Sequence, residues 1–469
     1  MQPGLAPDGG RDYLLHLTRG GPMTRSLSDL SHALIEAARK AGADAADALA
    51  VSGTALSIEI RKGALEQAER SEGVDIGLRV LMGRRQACVS ASDTSDATIT
   101  ALAERAVAMA REAPEDPTAG LAEAGDVASG WDLGALDLAD PAGEPGAAVL
   151  EASARAVEAA ALEAKGITQV EAAASYSQRV LHMAATNGFS GGYGRTSTSL
   201  SAVAFTGSGT DMQRDYAGEG RIYAADMPSP VDIGRLAAER TLQRVGSVKP
   251  KTGTFAVVYD ERVAASLVGH LLSAINGTSI ARGSSWARDL LGKQVLPKGL
   301  SLIEDPHRAR IGSSRPFDGE GLPTKRREIV ADGVLTGWVL DLATGRKLGM
   351  PSTANAMRGT SAPPSPSTTN IDLTQGLVTR EDLLKQMGTG LLVTSMIGST
   401  INPTTGDYSR GASGFWVENG QLAYPVHECT IAGNLKDMLL RIIPANDARA
   451  HLSTRVPSIL IDGMTLAGA

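Results

Sequence analysis

The chain has 469 residues, 42% of them hydrophobic, more than one core usually organises, which predicts two domains with the first open to subdivision. Its 45 Lys and Arg against 52 Asp and Glu give a net charge of -7, and the densest basic run, Lys325-Arg326-Arg327, is followed at once by Glu328. This balance argues against a nucleic-acid ligand, which requires a basic stripe or patch, and the short run reads as the solvated face of a strand.

Aromatic residues make up only 4% and glycines number 53, so tight turns and Ala/Val/Leu packing are expected in place of aromatic clusters. The only cysteines are Cys88 and Cys429. A disulfide framework is therefore not expected, and a reducing, cytoplasmic setting with free, buried thiols is. No stretch approaches the ~20 apolar residues of a membrane helix, and Tyr13-Leu14-Leu15-His16-Leu17 is shorter than a signal-peptide core of roughly 7 to 15. No membrane partner is expected. Residues Met1 to Pro22 read as a loose N-terminal tail, or as the consequence of an alternative start at Met23.

From Met23, the spacing of Leu27, Leu30, Leu34, Ala37 and Ala41 predicts an amphipathic helix stopped by Gly42. The period then changes to two: Leu56, Ile58 and Ile60, then Val74, Ile76, Leu78 and Val80, alternate with polar residues as half-buried strands do. Lys62-Gly63, Glu72-Gly73 and Met82-Gly83 predict the turns of a meander. Helices are expected over Ser95 to Ala113, Ala147 to Lys165 and Val231 to Val245. Pro114 to Gly146 reads as a long acidic connection whose length hints at use. Thr168 to Ser175, Gln178 to Ala185 and Ser197 to Phe205 read as strands, with Asn187-Gly188 a hairpin signal.

Gly246 to Gly253 is the predicted domain boundary. It separates an N-terminal domain (23–245, divisible into lobes 23–113 and 147–245) from a C-terminal one (246–469). A buried strand, Phe255 to Tyr259, leads through Asp260 as N-cap into a helix over Glu261 to Ile275 that Gly277 ends. Short strands and Gly/Pro turns follow, with one helix near Arg380 to Gly388. The fold class is α+β: an N-terminal α/β domain of antiparallel meanders and helices, followed by a β-rich C-terminal domain of mostly antiparallel strands.

A hydrolytic site is sought first at histidine, the usual base or zinc ligand near neutral pH. None of His16, His32, His182, His270, His307, His427 and His451 lies in HExxH or HExxxH. His427-Glu428-Cys429-Thr430-Ile431 comes nearest, but Ile431 stands where a second ligand would be. On a strand His427 and Cys429 would share a face, yet two ligands do not close a zinc site, and ordinary packing is the simpler reading. No GxSxG elbow, P-loop or GxGxxG after a strand occurs.

Several segments of the second half carry a specific resemblance. They are Arg315-Pro316-Phe317-Asp318-Gly319-Glu320-Gly321, Gly345-Arg346-Lys347-Leu348-Gly349, Asn402-Pro403-Thr404-Thr405-Gly406-Asp407-Tyr408-Ser409-Arg410-Gly411 and Gly414-Phe415-Trp416-Val417-Glu418-Asn419-Gly420. With Thr430 to Leu435 and Met212-Gln213-Arg214-Asp215-Tyr216, they make the chain resemble the PmbA/TldE branch of the TldD/PmbA family from Met23 onward. The resemblance implies a TldD-type subunit with HExxxH on a helix and a cysteine near the C-terminus as a further zinc ligand, paired with a TldE-type subunit. Here Val268-Gly269-His270 looks like the end of that motif, with Ala265 and Ser266 in place of the first histidine and the glutamate. No cysteine lies between Asn446 and Ile461. Zinc needs about three protein ligands and its water a base. The resemblance therefore implies no cofactor in this chain, with zinc expected in a TldD-like partner, and His270 reads as structural.

By the same resemblance the active species is a heterodimer acting on unfolded peptides, such as precursor leaders and labile antitoxins, and the isolated chain is inactive. A zinc-less subunit would cover the partner's site and offer sheet edges to extended peptides. Asp407, Tyr408, Arg410, Phe415 and Trp416 are candidates for groove or interface residues. The competing view of them is a turn stapled by an Asp-Arg pair and aromatic packing. Two alternatives remain: a non-catalytic, chaperone-like homodimer that binds peptides, and an autonomous metallopeptidase using His427, Glu428 and Cys429.

Overall fold

The computed structural model describes residues 25–468, so the expected tail over Met1 to Pro22 lies outside the described residues. The first helix, Leu27–Lys40, is capped by Ser26: its hydroxyl accepts from Asp29 N at 3.0 Å and Asp29 Oδ2 accepts from Ser26 N at 3.1 Å. Buried Leu27, Leu30, Leu34 and Ile35 form its inner face.

Strands β1 (Ala45–Arg61), β2 (Ala64–Met82), β3 (Arg85–Ala91), β4 (Ile167–Ala185), β5 (Ser190–Thr206) and β6 (Gln213–Arg221) form one antiparallel sheet, ordered β3-β2-β1-β4-β5-β6. The turn at Lys62-Gly63 forms, with φ of 54° and 70°, as a two-residue hairpin of primed type requires. The turn expected at Glu72-Gly73 does not. Gly73 faces Gly53 in the middle of the β1–β2 pair, and the strand runs straight through. Likewise the two runs expected between Thr168 and Ala185 are one strand, because Tyr176 and Ser177 keep pairing with Thr198 and Ser197.

One face of this sheet carries helices. Leu27–Lys40 and Asp96–Glu112 cover Ala46, Ala48, Ala50, Ile76, Leu78 and Val80. Ala147–Leu162 and Pro230–Leu242 cover Leu56, Ile58, Ile60, Val170, Ala172 and Leu200. The residues between, such as Leu49, Val51 and Met183, face the other way and cluster with Phe317 of the second half. The long connection serves that contact: Trp131 lies 4.9 Å from the Phe317 ring, Ala128 N donates to Gly321 O at 2.8 Å, and Arg346 donates to Leu121 O at 2.7 Å.

The second half begins with β7 (Gly253–Tyr259) and the helix Glu261–Ala274. Short strands β8 (Leu302–Glu304), β9 (Arg327–Ala331), β10 (Val334–Leu335), β11 (Ala356–Met357), β12 (Ser365–Pro366) and β13 (Ile371–Leu373) follow. After the helix Arg380–Met387 come β14 (Gly390–Ile401), β15 (Asp407–Glu418), β16 (Gln421–Asn434), β17 (Ile443–Pro444), β18 (Thr454–Arg455) and β19 (Ile459–Ala467). β7, β14, β15, β16 and β19 close a ring of pairings, since β16 pairs with β15 on one side and β19 on the other; only β7–β14 is parallel. Strand alternation sorts the ring. Val257, Tyr259, Leu391 and Val393 join the main core, while Val258, Leu392 and Leu460 meet Leu383 and Leu384. Of the basic run, Lys325 and Arg326 are exposed as expected, but Arg327 is not: its Nε binds the buried Glu304 carboxylate at 2.9 Å.

Candidate functional site

The helix Glu261–Ala274 starts where β7 ends, with the Asp260 carboxylate accepting from Arg262 N at 3.1 Å. It stops at Ile275; Gly277, expected to end it, instead opens a short helix capped by Asn276. Ala264, Leu267, Val268, Leu271 and Ala274 are its buried residues, while Val263, four positions before Leu267, is only partly covered. A period of 3.6 rotates a strict i, i+4 row off the core within three turns.

Ala265 packs partly buried against the core and carries no donor. Ser266 Oγ donates to Val263 O at 2.7 Å, so its proton is turned back onto the helix. His270 is half-buried, its ring 5.8 Å from that of Tyr408 at an interplanar angle of 73°, and its buried Nε2 has no hydrogen-bond partner. Burial, and then Arg410, push its pKa below the usual imidazole value. Among the described residues no group of three or more His, Cys, Asp or Glu is disposed to hold a metal. One imidazole beside an alanine and a committed hydroxyl does not fit zinc, whose sites use about three protein ligands.

The five residues singled out in the Gly-rich segment part company. Tyr408 is 2% exposed and its hydroxyl lies 3.5 Å from that of Tyr259. Trp416 is 1% exposed between Phe255 and Tyr424. Both side chains belong to the core and present no groove surface, because β15 alternates and these positions point inward. Phe415 points the other way, toward the Leu383 and Val417 cluster. Nor does an Asp-Arg staple form. Asp407 accepts from Thr405 Oγ1 at 2.6 Å and Asn434 Nδ2 at 3.0 Å, while Arg410 Nε donates to Gly398 O at 2.8 Å. Residues three apart on a strand face opposite sides, which separates the pair. The fold thus gathers His270, Tyr408 and Arg410, and leaves Asp407, Phe415 and Trp416 elsewhere.

His427 and Cys429 do not share a strand face as expected. Glu428 adopts φ 48° in a bulge opposite Ser413, where the β15–β16 register slips. Cys429 is buried, its Sγ donating to Ala412 O at 3.2 Å, and burial pushes its pKa up to about 11. His427 stays partly exposed, with its Nδ1 3.9 Å from Glu428.

Sequence reasoning missed the seam between the halves. Asp318, buried, accepts from the backbone N–H of Glu320, Leu322 and Ala356 at 2.9 to 3.0 Å, and Glu320 accepts from Leu342 N at 2.8 Å. Burial raises both carboxyl pKa values, and the Asp318 charge adds to the rise at Glu320. The visible signal was Asp318-Gly319-Glu320-Gly321, two acids in a turn whose glycines allow close approach. A Cβ on Gly321 would meet the Phe189 ring at 2.7 Å.

This helix-backed antiparallel sheet, joined to a closed ring of strands, is matched along most of its length by domain models of a metallopeptidase family. Family models for PmbA/TldA metallopeptidase domain 1, the central domain and the C-terminal domain match residues 46–110, 140–245 and 252–468. The chain is 38% identical over 427 residues to metalloprotease PmbA of Escherichia coli O157:H7, across 91% of this chain and 92% of that protein. A PmbA homolog of Haemophilus influenzae is 37% identical, across 92% and 94%. Of solved structures, a Bacteroides thetaiotaomicron protein described as a modulator of DNA gyrase superposes with TM-score 0.87 at 26% identity, over 94% of this chain and 98% of that one. TldE from Thermococcus kodakarensis shares the fold, with TM-score 0.80 at 18% identity, over 93% and 99%. The chain belongs to the PmbA/TldE family.

Proposed function

We propose that this chain is the TldE-type subunit of a heterodimeric zinc metallopeptidase that degrades or processes unfolded peptides in the cytoplasm, the zinc residing in a TldD-like partner. One observation carries the reading: the helix Glu261–Ala274, which corresponds by resemblance to the zinc helix, offers Ala265 and Ser266 where a ligand and a base would stand, and a single His270. The 38% identity to a metalloprotease supports retention of the fold and of a place in the complex. A free sheet edge supports peptide binding. β2 pairs with β3 only from Ile76 onward, so the exposed run Ala64–Gly73 has strand-pairing groups to offer on its outer side. Backbone pairing tolerates many sequences and passes over folded proteins, whose strands are already paired.

The test is zinc content and hydrolysis of an unstructured peptide, for the purified chain alone and after mixing with a TldD-like partner. Zinc and turnover only in the mixture support the reading. About one zinc and turnover from the chain alone would sink it and return attention to His427, Cys429 and His270.

A further inference from the structure

The face of the N-terminal sheet turned away from its helices meets the second half along a seam that leaves a solvent-open cavity of about 500 Å³. Arg179 on β4 and Arg195 on β5 stand directly opposite each other in the strand register, and both line it. Arg315, Arg358 and Asp318 line it from the second half, and Leu181, Tyr193 and Phe317 supply apolar wall.

The cationic groups are poorly answered by the protein. Only Arg358 has a carboxylate, that of Asp47. Both hydrogen bonds of Arg195 go to carbonyls, those of Gly312 and Ser314. Arg315, 8% exposed, makes one to Ser367 O at 3.1 Å and leaves its Nε buried without a partner. The Arg179 side chain forms no hydrogen bond or ion pair with any described residue. Asp318 adds one negative charge, but its oxygens are occupied by three backbone N–H groups. Like charges directly opposite on neighbouring strands destabilise a sheet unless an anion lies between them. Planar guanidinium groups hold a carboxylate through paired hydrogen bonds.

We infer that this cavity binds an organic carboxylate, its anionic head between Arg179, Arg195 and Arg315 and its apolar body against Leu181, Tyr193 and Phe317. The C-terminus of a peptide and a free small acid share that chemistry. The inference concerns the chain by itself and does not depend on its role in a complex.

Calorimetric titration of the full chain tests it with four probes: Ala-Ala-Leu as free acid, the same tripeptide as C-terminal amide, 4-methylpentanoate, and inorganic phosphate. At least one of the two acids is expected to bind with Kd below about 1 mM, and the amide about tenfold or more weaker than the tripeptide acid. Arg179→Glu, at an exposed strand position, is expected to weaken the acid by about tenfold or more, with Arg179→Gln a milder version should the first not fold. Binding of the tripeptide acid alone assigns the site to peptide termini, and binding of 4-methylpentanoate assigns it to free acids; either supports the inference. It is overturned if neither acid binds, if the amide or phosphate binds as tightly as the acids, or if both Arg179 variants bind like the native chain.

Discussion

Asp47 of the N-terminal sheet and Arg358 of the C-terminal half form a buried ion pair, 311 positions apart in the chain, with side chains 5% and 2% exposed. The same carboxylate accepts from Arg79 Nε at 2.8 Å, so one acid on β1 ties its neighbouring strand to a loop of the second half. Burial opposes ionisation of Asp47, but Arg358 and Arg79 outweigh it and hold the carboxyl below the usual range.

Asp47→Asn keeps the volume and removes the charge, leaving two buried guanidinium groups uncompensated. Breaking a buried pair in this way costs about 3–5 kcal/mol. Urea unfolding at neutral pH should show that loss. Since the native carboxyl is depressed, its contribution is present above pH 3.8 and disappears as pH falls through the native value. The gap between native and variant chains should therefore narrow in acid. A loss under about 1 kcal/mol at pH 7 would mean that the seam does not depend on this pair.

Close backbone approach at the same seam makes a second prediction. A Cβ added to Gly77 would lie 2.2 Å from Thr360 O and 2.5 Å from Thr360 Cα. Gly77→Ala must push β2 and the Thr360 loop apart locally, at a cost of about 1–3 kcal/mol. Gly73, on the same strand, meets nothing within 4 Å, and Gly73→Ala should stay within about 0.5 kcal/mol of the native chain. Equal melting temperatures for the two variants would contradict the packing at Thr360.

These seam contacts lie beyond sequence reasoning for a physical reason. Ile76, Leu78 and Val80 were legible as a strand because one face is uniformly apolar and packs on helices. Ala45 to Gly53 was not, because β1 is covered on both sides there and loses its polar alternation. Arg179 and Arg195 are 16 positions apart, and only the β4–β5 register sets them face to face. The Gly-rich segment misled in the opposite direction. Tyr408 and Trp416 stood among the groove or interface candidates, but both sit at inward positions of a long strand, where aromatic burial is ordinary. The helix Glu261–Ala274 was legible down to its Asp260 cap, because capping chemistry is local.

Cys429 tests the remaining metal hypothesis. A metal or disulfide reagent needs an accessible thiolate, and this thiol is 2% exposed with its pKa raised to about 11 by burial. In a Cys88→Ser variant, a thiol-specific chromogenic reagent at pH 8 should find no rapidly reacting thiol in the native chain and one after unfolding in guanidinium. Rapid reaction in the native state would show Cys429 to be available and would reopen a role for it with His427.

His182 predicts how the chain responds to acid. Its Nδ1 lies 2.7 Å from Ser31 Oγ, fastening β4 to the helix Leu27–Lys40, and the ring is 8% exposed. Burial, reinforced by the neighbouring His32, lowers its pKa from 6.5 to about 4. The unfolded chain therefore takes up a proton near pH 6.5 that the folded chain refuses until about pH 4. The stability that follows from keeping this ring neutral is complete above pH 6.5 and is lost as pH falls toward 4. The difference, 6.5 − 4, corresponds to about 3 kcal/mol. His182→Gln retains an amide that can donate to or accept from Ser31 and cannot titrate, so its urea midpoint should change less between pH 7 and pH 4.5 than that of the native chain. If the two profiles run parallel, His182 is not the group that acid protonates, and the search moves to the half-buried His270 and His451.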